Sequence, residues 1–326
     1  MLSHQSIRTA ARVVFLTLLL IFLVFFTVSF PVGAYVALAF LNSEAPQTIR
    51  TLPLFIFGLP APIKSTIDAV TLIAILLAFY LSLIYIASKG PSNLYKTIRL
   101  IYTQGIGFLQ SNTLITVCTV FSPLLLIEVG LEYLQSLFGI ATGALPKTDP
   151  LVDFAFLTYA PVAEEIGFRV TLIGLVLSWL PLYYGRVRDA LYTLWRPSAY
   201  ISTENTRARW LLNSLIIFSS IVFGLAHVLY GGGWELGKIF PSFVAGLCLG
   251  WLYVKWGFHA AVLLHLLFNY FAGSFDYFTD LVSSTLLEDA VLASVYLLGA
   301  VVLVWVALKV LSPSHQRLGR IKSSKQ

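Results

Sequence analysis

Six side chains in the second half of this chain have the types and spacing for hydrolytic chemistry. Glu164 and Glu165 are adjacent carboxylates, and Arg169 follows the second by four residues. His227 closes the run Phe223-Gly-Leu-Ala-His227, and His265 precedes Asn269 by four positions. Side chains four apart share a helix face, so Glu165 can pair with Arg169, and His265 can stand beside Asn269. Glu164 is turned about 100° from Glu165 and is left to point elsewhere. A carboxylate withdrawn from water suits a general base or acid working near neutrality. A neutral imidazole can share a water with it, and an amide can donate to a developing oxyanion. Carboxylate, two imidazoles and an amide together suit water attack on a carbonyl.

The surroundings of the three charges make them unusual. From Leu151 to Leu182 the chain is otherwise apolar apart from Asp153 near its start, and it is long enough to cross a bilayer. An ionised side chain at the centre of a spanning helix costs about 2.5–3.5 kcal/mol. Three facing lipid would cost roughly 7–10 kcal/mol, comparable to the stability of a whole domain. They must therefore face a protein interior or a wet cavity.

The elements that position them follow from composition. Of 326 residues, 58% are hydrophobic and 11% charged, against about 25% charged in a soluble domain. The chain reads as an all-α polytopic membrane protein in contact with the lipid bilayer, a single membrane domain over 1–326. Eight spans are expected at about 13–40, 66–88, 114–138, 152–182, 209–230, 239–256, 258–275 and 288–311. The sixth and seventh, split only by Trp256-Gly257, form a tight helical hairpin in this reading. Gly246 and Gly250, four apart in the sixth, allow close helix approach. Residues 51–63, broken by Pro53, Pro60 and Pro62, are too short to span and read as a re-entrant or interfacial loop. Residues 92–110 read as an interfacial amphipathic helix. Cys118 and Cys248 lie in apolar segments without metal-ligand spacing and read as small core residues.

Charge gives an orientation. With eight spans, sixteen of the 21 Lys and Arg residues fall on one side, Arg169 lies within a span, and only Arg50, Lys64, Lys147 and Lys238 fall on the other. This asymmetry places both termini in the cytoplasm. The net charge of +6 then belongs to loops near anionic lipid, and no nucleic-acid partner is implied.

Glu-Glu-x3-Arg at 164–169, Phe-x3-His at 223–227 and His-x3-Asn at 265–269, in that order on successive helices, resemble the CAAX prenyl protease type II family. This is also the group of CAAX proteases and bacteriocin-processing enzymes, which includes proteins labelled abortive-infection. The resemblance covers about 150–275, with Ala160-Pro161 and the glycine-rich sixth span fitting as well. Residues 1–149 carry none of it and read as packing helices. It implies an intramembrane endopeptidase acting on prenylated CAAX-type or other membrane-associated peptides. Carried onto this chain, Glu164 with His227 would activate water, His265 and Asn269 would stabilise the oxyanion or complete the site, and Glu165 and Arg169 would hold its geometry. Members have been described both as metalloproteases and as metal-independent glutamate proteases. Glu164, His227 and His265 have the types of a His2Glu zinc site, but no H-E-x-x-H motif is present, and the reading adopted is no obligatory metal. The chain's oligomeric state is not legible.

Plainer readings exist for each part. Glu165–Arg169 alone is an ordinary structural ion pair, and His265 with Asn269 alone is interhelical glue. A proton-coupled transporter also buries Glu, His and Arg at mid-membrane, though its usual inverted repeat is missing here. A catalytically idle scaffold or immunity protein would keep the same core. His259, six residues before His265 on another face, is left out of the site, and no role is given to Glu128 and Glu132. Under the charge-based orientation the site lies in the outer half of the membrane, whereas prenylated cytosolic C-termini need one reachable from the cytoplasm.

Overall fold

Eight long apolar helices form the molecule, a multi-pass integral membrane protein. The structure, a computed structural model, describes residues 4–43, 47–201 and 205–311. The first span lies within α1 (His4–Ser43), the second is α2 (Ala69–Lys89) and the third α4 (Thr113–Leu137). The fourth is one long rod, α5 (Pro150–Glu165) running through a π-wound segment, Ile166–Leu175, into α6 (Val176–Tyr183). After the short α7 (Val187–Trp195) come α8 (Thr206–Tyr230) and α9 (Ile239–Trp256). The seventh span is α10 (Phe258–Leu266), a second π-wound segment at Leu267–Phe271, and α11 (Ala272–Val282); the eighth is α12 (Leu286–Leu311). All eight expected spans are present, with ends shifted by a few residues.

Local sequence explains where these helices begin and how they dock. Asp68, Asn112, Asp149 and Asn205 each accept a backbone N–H in the first turn of α2, α4, α5 and α8, satisfying donors that water would otherwise take. Gly257 at φ 108° makes the turn between α9 and α10. A Cβ on Gly246 would meet Ser220 of α8 at 3.0 Å, so the small residue permits the α8–α9 approach. Every residue of α10 is buried, and the helix packs against α2, α4, α5 and α9. It is the central element of the bundle.

Polar ties mark one end of the bundle. Arg12 donates to Thr103 O in the last turn of α3 (Leu94–Gln104), Lys255 donates to Gln110, and Ser198 donates to Lys255 O. At the opposite end Lys147 bridges Asp276 and Asp280, and Lys238 pairs with Glu132. The loops expected to share the basic side thus share one end. Arg317, Arg320, Lys322 and Lys325 lie outside the described residues.

The re-entrant segment needs correction. Instead of an irregular loop, residues 48–68 form an antiparallel hairpin, β1 (Thr48–Ile56) and β2 (Leu59–Asp68). Phe57 at φ 51° and Gly58 at φ 77° make the two-residue turn, the left-handed pair that suits strand twist. Ile56 and Leu59 close the turn as a hydrogen-bonded pair, so bonded and non-bonded pairs alternate outward. Pro53–Pro62 and Phe55–Pro60 fall on the non-bonded pairs, where a missing N–H costs the hairpin nothing.

Candidate active site

The fourth span changes winding directly after the two carboxylates. From Ile166 to Leu175 it is π-wound, and the seventh span does the same at Leu267–Phe271, directly after His265 and across Asn269. Such widened turns concentrate at functional sites, where they re-aim side chains and free carbonyls.

Glu165 and Arg169 are fully buried and form an ion pair, Oε2 to Nε, at 3.1 Å. Arg169 is held on two further sides. Its Nη1 donates to Ser219 Oγ at 2.7 Å, and Ser219 donates in turn to Phe168 O at 2.7 Å. The guanidinium also lies 4.7 Å from the centre of the Phe223 ring, a favourable cation–π position. The other oxygen of Glu165 reaches across to the seventh span, where Oε1 accepts from His265 Nδ1 at 2.9 Å. Glu165 is therefore the hinge of a chain from Ser219 through Arg169 to His265.

That bond has a chemical consequence. An ionised carboxylate only accepts, so the proton sits on Nδ1 and the lone pair on Nε2. Nε2 faces Glu164 Oε2 at 3.7 Å. Two acceptors at that separation cannot bond each other. A water about 2.8 Å from both can donate one hydrogen to each. Glu164 is the less enclosed carboxylate, with 19% of its side chain exposed.

His227 joins from α8. Its Nδ1 donates to Phe223 O at 2.9 Å, which leaves Nε2 as an acceptor. Phe223 packs edge-on against both imidazoles, with centroids 4.6 Å from His227 and 5.8 Å from His265. Gly231 ends the helix by donating to His227 O, and a Cβ there would collide with that carbonyl. Asn269 is half-buried, one turn beyond His265, and its side chain bonds no described residue.

His259 lies apart, stacked on Trp195. Glu128 is buried in α4, with Oε1 unpartnered among the described residues. Glu132 pairs with Lys238. Among the described residues no three His, Cys, Asp or Glu side chains are grouped as metal ligands. Glu164, His227 and His265 are not gathered into such a group.

Ser219 and Phe223 hold the site without having been legible as functional. A serine and a phenylalanine in an apolar span carry no signal until their partner across the bundle is known. In the sequence Phe223 stands out only as the first position of the Phe-x3-His motif.

A family model described as Rce1-like, Type II CAAX prenyl endopeptidase, matches residues 147–271. The match contains Glu164, Glu165, Arg169, His227, His265 and Asn269 and ends at Phe271, the last residue of the second π-wound segment. No curated protein and no solved structure matches the chain.

Proposed function

We propose that this chain is an intramembrane endopeptidase that hydrolyses prenylated CAAX-type or other membrane-associated peptides with water activated by Glu164. The observation that supports this most is the placing of Glu164 opposite the Nε2 of His265 at 3.7 Å, room for one shared water, while Glu165 holds the other nitrogen. The match over 147–271 points to the same chemistry.

In this reading the water between Glu164 and His265 gives a proton to Glu164 as its oxygen attacks the scissile carbonyl carbon. The Asn269 amide donates to the oxyanion as charge develops there, and the Nε2 of His227 accepts from a substrate N–H. Collapse of the tetrahedral species breaks the C–N bond. The proton held by Glu164 passes to the leaving amine, giving a carboxylic acid and a free amine, with Glu164 again ionised. Glu165, Arg169 and Ser219 touch no reacting atom and keep His265 in one tautomer. Burial inside the bundle keeps these charges unscreened, so a fixed arrangement favours developing charge more than mobile solvent does.

The test is a peptidase assay in detergent on a farnesylated peptide ending in Cys-aliphatic-aliphatic-X and on an unprenylated membrane-spanning peptide. Glu164→Ala, His227→Ala and His265→Ala are each expected to lower turnover at least about a hundredfold. Parental cleavage by all three variants refutes the assignment. Cleavage that persists in strong chelator fits the metal-independent form, and loss restored by zinc contradicts it.

A further inference from the structure

The hairpin of residues 48–68 is joined to the active-site helix. The turn amide of Phe57 donates to Thr171 Oγ1 at 2.9 Å, and that of Gly58 donates to Gly167 O at 3.3 Å. Gly167 lies three residues past Glu164, in the π-wound segment. A Cβ on Gly167 would collide with Phe55, and one on Gly58 with Val222 of α8. The tip is thus wedged between the helix that carries Glu164 and the helix that carries His227. Val222 is eight residues from the end of α8 at Tyr230, so the tip reaches roughly 12 Å into the bundle.

At that depth an open sheet edge is anomalous. Lipid offers no partner to main-chain polar groups, and irregular or unpaired backbone is tolerated only against protein or a wet cavity. The outer edge of β1 leans on the fourth span, through Phe55 and Gly167. The outer edge of β2 is exposed from Leu59 to Lys64, except at half-buried Ala61. The groups that point out from β2 belong to the non-bonded pairs, at Pro60, Pro62 and Lys64. The two prolines lack an N–H, so the edge from Leu59 to Ile63 presents carbonyls alone, and the first outward donor is the Lys64 amide. What this edge can accept is an ordinary extended peptide, whose N–H groups recur on one side every second residue.

This edge lies at the depth of the catalytic groups, with β1 between it and the fourth span. Pro62 lies opposite Pro53, two residues before Phe55, roughly 6.6 Å up the strand. Glu164 and Ala163 lie three and four residues before Gly167, roughly 4.5–6 Å up the helix. A segment bonded to Pro60 O and Pro62 O therefore passes the level of Glu164. Peptide hydrolysis needs this extended form, since helical main chain keeps its carbonyls bonded and shielded.

We propose that the β2 edge binds the substrate main chain as an added strand, alternate substrate N–H groups donating to the carbonyls of Pro60 and Pro62. This deepens the peptidase reading by assigning where and in what form the peptide binds. The class recognised is any extended peptide with unsubstituted amides, read by backbone and not by side chain.

Two experiments on the full chain in detergent test it. In the first, the farnesylated peptide carries single amide-to-ester replacements at successive positions on both sides of the scissile bond. Two positions separated by one residue are expected to raise KM about tenfold each, with the residue between near parental. Cleavage with a flat ester profile overturns the proposal and leaves the peptidase reading standing. In the second, Glu164→Gln with Ile63→Cys is disulfide-trapped with peptides carrying one cysteine at successive positions. Trapping at alternate positions is expected even if the parent cleaves nothing, which would retain the edge and sink the peptidase reading. Trapping at consecutive positions, or none, overturns the edge.

Discussion

At the scale of single residues, the site separates two neighbouring carboxylates by what each touches. Glu165 is fully buried between Arg169 and His265, whereas Glu164 keeps some exposure and lies 3.7 Å from the Nε2 of His265. Their substitutions should therefore behave differently. Glu164→Gln is expected to abolish peptidase activity, by at least about a hundredfold, with little change in the thermal midpoint. Glu165→Gln leaves the Arg169 charge uncompensated in a dry interior, a loss of about 3–5 kcal/mol, and it frees the tautomer of His265. It should lower both activity and the midpoint in detergent. Equal midpoints for the two variants would show that Glu165 carries no structural charge. The Glu165–Arg169 pair was legible because i,i+4 spacing is local. Its extensions were not, because His265 lies 100 residues away and Ser219 lies 50. No local pattern encodes which helix a buried arginine will face.

At the scale of elements, the hairpin and the π-wound turns are what the sequence concealed. The prolines at 53, 60 and 62 read as breakers of a span. They sit at the positions of an antiparallel ladder where an N–H is not needed. The turn gave no Asn-Gly or Asp-Gly signal, since Phe57 adopts the left-handed conformation while its amide is held by Thr171. The long spans were legible because apolar length alone specifies them. The change to π winding leaves no mark in composition. Gly167 joins the two concealed features, and Gly167→Val tests the joint. The added side chain collides with Phe55 and should displace the tip. The expected result is a loss of about 1–3 kcal/mol in stability and at least a tenfold loss of peptidase rate, with α-helical content kept. Gly107→Ala is the control, because open space surrounds that Cβ, and it should match the parent in both readouts. Parental turnover in Gly167→Val would detach the hairpin from the chemistry.

At the scale of the whole molecule, the remaining question is which compartment the site opens to. His227 lies three residues from the end of α8, at the end of the bundle that carries Gly231–Gly233 and the Lys147 bridges. Arg12, Arg188 and Lys255 belong to the other end, and from charge bias we propose that this end is cytoplasmic. Exposed residues on the two ends provide the measurement. In intact cells a membrane-impermeant maleimide should label Glu235→Cys at once and Arg188→Cys only after permeabilisation. Cys118 and Cys248 sit within spans and add little background. This outcome places the mouth of the site away from the cytoplasm, so a cytosolic prenylated C-terminus would not be its substrate and a peptide entering from the outer leaflet would. Inverted labelling overturns the charge-based orientation and brings a cytosolic prenylated chain within reach of Glu164. Labelling of both cysteines from outside contradicts an arrangement of eight spans, because α8 alone separates the two positions across the membrane once α7 is placed at the basic end.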